Sequence, residues 1–235
     1  MNKLISLLVL VSVSATASDN EIFVDQVGAT ANIDLEQLGS GNIIGGLTAV
    51  AGSMTALDLD GTSMTLDINQ IGNTNKFLGD MYADTYTGYF NFDGDTNTFT
   101  SKMDPTNAFG ADGSNVNVQV TGSTNTFTLD LATAALASGA DIDWTVQGSS
   151  NTINADIDVD SATNYMSIDG DSNTVNYDGD GYAQGYFHLT HTGSSRAFDV
   201  DQQSTQDSDW LKVTSTGSSG TVCINQDDQG TSVGC

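Results

Sequence analysis

The side chains best placed for chemistry in this chain are aspartates set two apart across a glycine. Asp93-Gly-Asp95-Thr-Asn97, Asp169-Gly-Asp171-Ser-Asn173 and Asp178-Gly-Asp180 put hard oxygen donors at alternate positions, as calcium loops do. None completes such a loop, because its glycine position holds Thr98 or Thr174 and no bidentate glutamate follows. Turn chemistry accounts for the same residues, which leaves Asp93, Asp95, Asp169 and Asp171 as weak calcium candidates. The expectation is therefore no cofactor beyond loosely bound divalent cations. His188 and His191 form a His-x-x-His pair, and on an alternating strand they face opposite sides, a poor geometry for shared metal ligation. A solvated strand is expected for both. No nucleophile elbow, zinc motif or phosphate-binding loop occurs. Lys76, Lys102, Arg196 and Lys212 are too scattered to grip an acidic polysaccharide, so no enzymatic activity is expected.

The sequence carries 30 acidic against 5 basic residues, a formal charge of -25. A field of that sign repels nucleic acid and anionic lipid, attracts divalent cations or basic partners, and keeps the monomer soluble. At the amino terminus, Lys3, the apolar stretch from Leu4 to Val13 and the small-residue signature Ala15-Thr16-Ala17 read as a signal peptide over residues 1–17. The mature chain then begins at Ser18, in a secreted, extracellular or cell-surface protein. The leader's apolar run is only about 10 residues, against the ~20 that a spanning helix needs, and no transmembrane anchor is expected. In an oxidising compartment, Cys223 and Cys235 read as one disulfide that staples the C-terminal end.

Those aspartates belong to a repeat. Gln26-Val-Gly-Ala-Thr-Ala31, Gln37-Leu-Gly-Ser-Gly-Asn42, Gln70-Ile-Gly-Asn-Thr-Asn75, Phe92-Asp-Gly-Asp-Thr-Asn97, Val120-Thr-Gly-Ser-Thr-Asn125, Val146-Gln-Gly-Ser-Ser-Asn151 and Ile168-Asp-Gly-Asp-Ser-Asn173 share one frame. Gly28, Gly39, Gly61, Gly72 and Gly94 fall on a lattice with a step of 11 residues or a multiple of it. Beyond about Met103 the spacing loosens to between 22 and 28, through Gly122, Gly148, Gly170, Gly193 and Gly217. Pro105 and the Ala-rich run 131–140 sit in two of the wider intervals, and the second is read as a short helix or a projecting loop.

Between these glycines the apolar residues keep a period of two, as in Met64, Leu66 and Ile68 or Ile142, Trp144 and Val146. Strands with one buried face are written that way. Each half-repeat is thus a strand of about 6 or 7 residues and a turn of about 4, with Gly at positive φ and its polar neighbours bonding locally. The fold class expected is all-β: a β-solenoid of stacked strand-turn-strand coils, about 22 residues per coil, with longer loops in the second half. Residues 18–235 form a single domain, regular to about 103, looser over 104–220 and stapled over 221–235. Roughly ten coils would result, each hydrogen-bonded to those above and below at ~4.8 Å per layer.

The Gln-x-Gly-x-x-Asn segments at Gln37 to Asn42 and Gln70 to Asn75 resemble the curlin repeat of bacterial curli fibres. In that family each repeat is a strand-turn-strand unit whose Gln and Asn side chains stack in ladders inside an amyloid-like solenoid. The resemblance implies inward ladder positions for Gln37, Asn42, Gln70 and Asn75, with Gln26 as a third Gln and Ala31 in place of its Asn. It covers residues 20 to 100 well and the rest loosely, since later repeats replace Gln by Phe92, Val120, Val146 or Ile168. Physical chemistry supports a ladder through Asn97, Asn125, Asn151 and Asn173 as well: a buried amide finds both donor and acceptor in an identical amide one layer away. The competing explanation is that these Asn only tolerate left-handed backbone at turns.

Two functional expectations follow. The first is a structural subunit whose end coils template a further copy, or a homologous repeat subunit, into curli-like fibres or surface layers in biofilm or adhesion. The second is a monomeric adhesin that holds glycans or a cell surface through its looped half, with Tyr82, Tyr86, Tyr89, Tyr182 and Tyr186 as stacking candidates. Threonine pairs such as Thr98 and Thr100, or Thr126 and Thr128, bring an ice-binding solenoid to mind, but such a face needs its row on successive coils, and Asp, Asn and Lys are expected at the matching positions.

Overall fold

The computed structural model describes residues 21–45, 57–103, 112–131, 139–158, 160–181, 185–204 and 209–227. The expected signal peptide, Pro105, most of the Ala-rich run and Cys235 lie outside them, and with Cys235 the expected disulfide. All described elements are strands. The first seven are β1 (Glu21–Ile22), β2 (Asp25–Val27), β3 (Thr30–Leu38), β4 (Ile43–Ile44), β5 (Leu57–Ile71), β6 (Lys76–Asp93) and β7 (Thr98–Met103). After these come β8 (Asn115–Thr121), β9 (Thr126–Leu131), β10 (Asp141–Gln147), β11 (Thr152–Ile157) and β12 (Thr163–Asp169). The last five are β13 (Thr174–Gly181), β14 (Tyr186–Thr192), β15 (Arg196–Ser204), β16 (Trp210–Thr216) and β17 (Gly220–Asp227).

Every pairing is parallel and joins a strand to its counterpart one coil away. One face runs from the start of β6 through β7, β9, β11, β13, β15 and β17. The other runs from the end of β6 through β8, β10, β12, β14 and β16. The molecule is a parallel β-solenoid of about seven turns at roughly 24 residues per turn. A single coil has no way to bury its own apolar face, so the stack is what makes each rung stable.

Seven turns replace the expected ten because coils lengthen, and the longest is not in the second half. Successive corner asparagines are 33, 22, 28, 26 and 22 residues apart. The 33-residue coil lies in the stretch expected to be regular: Ile44 pairs with Phe77 and Leu57 with Gly79, so twelve residues separate the two pairings in one coil and one residue in the next. The later extra residues, 104–111, 132–138, 182–184 and 205–208, separate β7 from β8, β9 from β10, β13 from β14 and β15 from β16. None of the four connections carries a Gly-x-x-Asn segment.

Alternation decides which side chains go in. Phe77, Phe99 and Phe127 stack on successive rungs, with centroids 5.2 and 6.1 Å apart. From the facing sheet Phe90 packs edge-on against Phe99 at 4.8 Å and Phe92 against Phe127 at 5.7 Å. All five rings are buried, and each such burial is worth about 1.5–3 kcal/mol.

Candidate functional site

The repeated corner is built from four positions. Its glycines, Gly39, Gly72, Gly94, Gly122, Gly148, Gly170, Gly193 and Gly217, all have φ between 127° and 153°. At Gly94 an added Cβ would collide with the Gly72 carbonyl, so both conformation and close rung approach require glycine there. The third position holds Thr74, Thr96, Thr124, Ser150, Ser172 and Ser195, with φ between 59° and 64°. Left-handed backbone therefore belongs to this Ser/Thr column and not to the asparagines that follow it. The sequence displayed that column, since Ser or Thr precedes each Asn from Asn75 to Asn173, but propensity points to Asn for a left-handed residue.

The asparagines do something else. Asn42, Asn75, Asn97, Asn125, Asn151 and Asn173 are at most 1% exposed. Each carboxamide oxygen from Asn75 onward accepts the backbone N–H of the preceding Asn, at 3.1, 2.9, 2.6, 2.9 and 2.9 Å along the column. The amide nitrogens of Asn75, Asn97 and Asn173 donate to the carbonyl of their own corner glycine. The column ends where Arg196 takes the next Asn position and donates to the Ser219 carbonyl at 3.0 Å.

A second ladder at the residue after each glycine runs the other way. Asn73 accepts from the Asp95 N–H, Asp95 from Ser123, Ser123 from Ser149, Ser149 from Asp171, Asp171 from Ser194, and Ser194 from Ser218. Of the weak calcium candidates, Asp95 and Asp171 thus accept backbone N–H groups of the next rung. Asp93 and Asp169 are exposed strand-end residues. Among the described residues, no three His, Cys, Asp or Glu side chains converge where a metal would sit.

The glutamine ladder is short. Gln70 donates to Gln37 at 2.7 Å and to the Lys76 carbonyl at 3.2 Å, both side chains being buried. Gln26 does not join them: it pairs with Leu59 at the opposite corner, and its amide donates to the Val27 carbonyl. Gly28 and Gly61 also belong to that corner, and neither has positive φ. Gly61 is needed for rung approach instead, because an added Cβ would strike the Gly28 carbonyl. Later coils have other residues here, so the 11-residue lattice mixed two unlike corners.

His191 corrects the expectation of a solvated strand. It lies in the Gln37–Gln70 row, buried, between Ser215 Oγ at 3.0 Å and the Gly170 carbonyl at 3.1 Å. A carbonyl only accepts, so Nε2 carries the proton and Nδ1 accepts from the serine. Burial lowers its pKa, consistent with that neutral tautomer. His188 points outward, as alternation requires.

The outer faces carry rows as well. One aligns Asp25, Asp58, Asp80, Lys102, Asp130, Asp156, Asp178, Asp201 and Asn225. Lys102 lies 4.0 Å from Asp130 within it. Where no cation intervenes, proton affinity rises: burial, then the like charges of Asp156, Asp180, Asp178 and Asp130, push Asp158 up to about 7. Burial, then Asp180, Asp156, Asp201 and Asp199, raise Asp178 to about 6, although that side chain remains in contact with solvent. A neighbouring row aligns Thr98, Thr126, Thr152 and Thr174 on four successive coils, where the sequence had suggested interruption.

On the opposite face Tyr165, Tyr186, His188 and Trp210 form an outward aromatic cluster, with Tyr186 and Trp210 stacked at 4.1 Å. Of the aromatic residues expected to be exposed, Tyr89 is and Tyr86 is buried; Tyr182 and the side chain of Tyr82 lie outside the described residues. No family model, curated protein or solved structure matches this chain.

Proposed function

We propose that this chain is a secreted structural repeat protein that forms or nucleates curli-like extracellular fibres or surface layers, through copies of itself or a homologous repeat subunit. The observation that carries the reading is the last described rung. Inward rows that are 0–2% exposed at Phe198 and Val200 continue to Val222 and Ile224, which are 39% and 44% exposed. Among the described residues β17 pairs with β15 alone and β16 with β14 alone, so each presents an open edge of N–H and C=O groups. Such an edge is a template for another strand. The leader-like amino terminus and the Gln-x-Gly-x-x-Asn repeats support the same reading.

A charge of -25 opposes association, and salt or divalent cations screen it. The mature chain is therefore expected to remain dispersed at low ionic strength and to assemble as salt rises, seen by light scattering and electron microscopy. A monomer at every ionic strength, with or without seeds, overturns the proposal.

The aromatic cluster favours a second reading, a monomeric adhesin that stacks Tyr165, Tyr186 and Trp210 against glycans. Replacement of Trp210 by Ala would abolish glycan or surface attachment on this reading.

A further inference from the structure

We propose that Asp209 and Gln202 hold a calcium ion, through Asp209 Oδ2 and Gln202 Oε1, where β15 leads on to β16. The proposal goes beyond the self-association reading and stands whether or not the chain polymerises.

Two rows of the structure change character there. The residues directly ahead of β8, β10, β12, β14 and β16 are Ser114, Ala140, Ala162, Gly185 and Asp209, and each but the last gives its carbonyl to the strand one coil on. Ser114, Ala140 and Ala162 are buried, so a run of small residues ends in a carboxylate. The other row holds the buried Met103, Leu131 and Ile157, then Gly179, then Gln202, which is 2% exposed.

Gly185 brings the two side chains together. Its N–H donates to Asp209 Oδ1 at 2.8 Å, and its carbonyl accepts from Gln202 Nε2 and from the Trp210 N–H, both at 2.8 Å. A Cβ at Gly185 would lie 2.6 Å from Gln202 Nε2 and 3.5 Å from Asp209 Oδ1, so both groups close over the space that the missing side chain leaves. The other oxygen of each, Asp209 Oδ2 and Gln202 Oε1, is buried and has no hydrogen-bond partner. In this they differ from Asp95 and Asp171, which accept backbone N–H groups of the next rung.

Both oxygens are acceptors, so neither satisfies the other. Among the described residues no Lys or Arg pairs with Asp209. Its charge is felt inside the solenoid: burial raises the pKa of the Tyr177 hydroxyl, and the charges of Asp178, Asp209 and Asp158 add to the rise. A bridging water would serve two acceptors but leave the carboxylate uncompensated, with Asp178 and Asp201 directly preceding Gly179 and Gln202 in the chain. A cation answers both needs. Carboxylate and amide oxygens are ligands that calcium takes, with water in its remaining places, whereas magnesium demands a stricter shell and keeps more of its water. The charge of -25 also raises the local concentration of divalent cations. An ion held here ties the end of β15 to the start of β16, strands of opposite faces.

The test is calcium titration of the chelator-stripped mature chain by isothermal calorimetry, in about 0.5 M sodium chloride to screen the exposed aspartates. One saturable calcium site is expected, with magnesium about tenfold weaker. Asp209→Asn removes a ligand charge and is expected to weaken calcium about tenfold, while Gln202→Glu adds one and is expected to tighten it about tenfold. Asp169→Asn, at an exposed strand end, is expected to leave the site unchanged. The opposite signs separate ligation from misfolding, which only weakens binding. No saturable site in the wild type would leave a water alone between the two oxygens, and equal affinities in the wild type, Asp209→Asn and Gln202→Glu would place calcium elsewhere. Either result overturns the proposal. Filaments are scored separately by electron microscopy, so loss of the calcium site leaves the self-association reading intact, and absence of filaments leaves the site intact.

Discussion

A buried amide is stabilising only when its donor and acceptor are both used, and Asn97 meets that condition. Its Oδ1 accepts the Asn75 N–H at 2.9 Å and its Nδ2 donates to the Gly94 carbonyl at 2.9 Å. Asn97→Ala strands the Asn75 N–H in the interior, and a loss of about 2–3 kcal/mol is expected in urea denaturation. The preceding Thr96 has φ of 64°, which a β-branched residue adopts at some strain. Thr96→Asn is therefore expected to stabilise by about 0.5 kcal/mol, opposite in sign to its neighbour. Equal destabilisation by both would mean that the corner works through the asparagine's backbone conformation instead. Gly94→Ala combines a collision with the Gly72 carbonyl and a forbidden φ, and a loss of at least about 3 kcal/mol is expected in the same measurement.

At the scale of the strand, parallel register turns a common surface residue into a column of like charge. Asp158 has a folded-state pKa of about 7, raised by burial and then by its aspartate neighbours. A group raised in the folded state contributes stability that is complete below its unfolded value, near 4, and is lost as pH rises through the folded value. Asp158→Asn keeps the shape and removes the charge, so the variant is expected to melt above the wild type at pH 8 and level with it near pH 4. His191, whose pKa is lowered by burial, acts in the opposite sense on the acid side of its ordinary value and is common to both proteins. A constant difference between their melting temperatures from pH 4 to 8 would rule out the raised carboxyl.

At the scale of the whole molecule, stability is a sum over rungs and their contacts. Deleting residues 152–173 removes one coil and leaves each row continuous, with Phe127 over Val175 and Trp144 over Leu189. The shortened chain is expected to keep its circular dichroism and a cooperative melt at a modestly lower temperature. Deleting 152–162 alone removes half a coil and carries every following strand to the wrong face. Loss of cooperative folding is expected for that variant, and two equally folded deletions would contradict the rung as the unit.

Much of this was legible because a solenoid is nearly one-dimensional. Alternation of period two marks which side chains turn inward, and recurrence of Gly-x-x-Asn marks the corner, both properties of neighbouring residues. The sequence alone therefore determined an all-β solenoid and the recurrence of asparagine at its corner, while the bonding of those carboxamides to backbone groups instead of to one another came from the structure. It did not determine the number of turns, because an 11-residue step is kept by an insertion as well as by a half-coil, and residues 45–56 exploit that ambiguity. Only the tertiary structure placed left-handed backbone on Thr96 and its equivalents, separated Gln26 from Gln37 and Gln70, and buried His191. It alone aligned Lys102 with Asp80 and Asp130 on the neighbouring rungs. Each of those facts depends on which rung lies over which, and that is settled by the stacked backbone hydrogen bonds between coils, to which local propensity is blind.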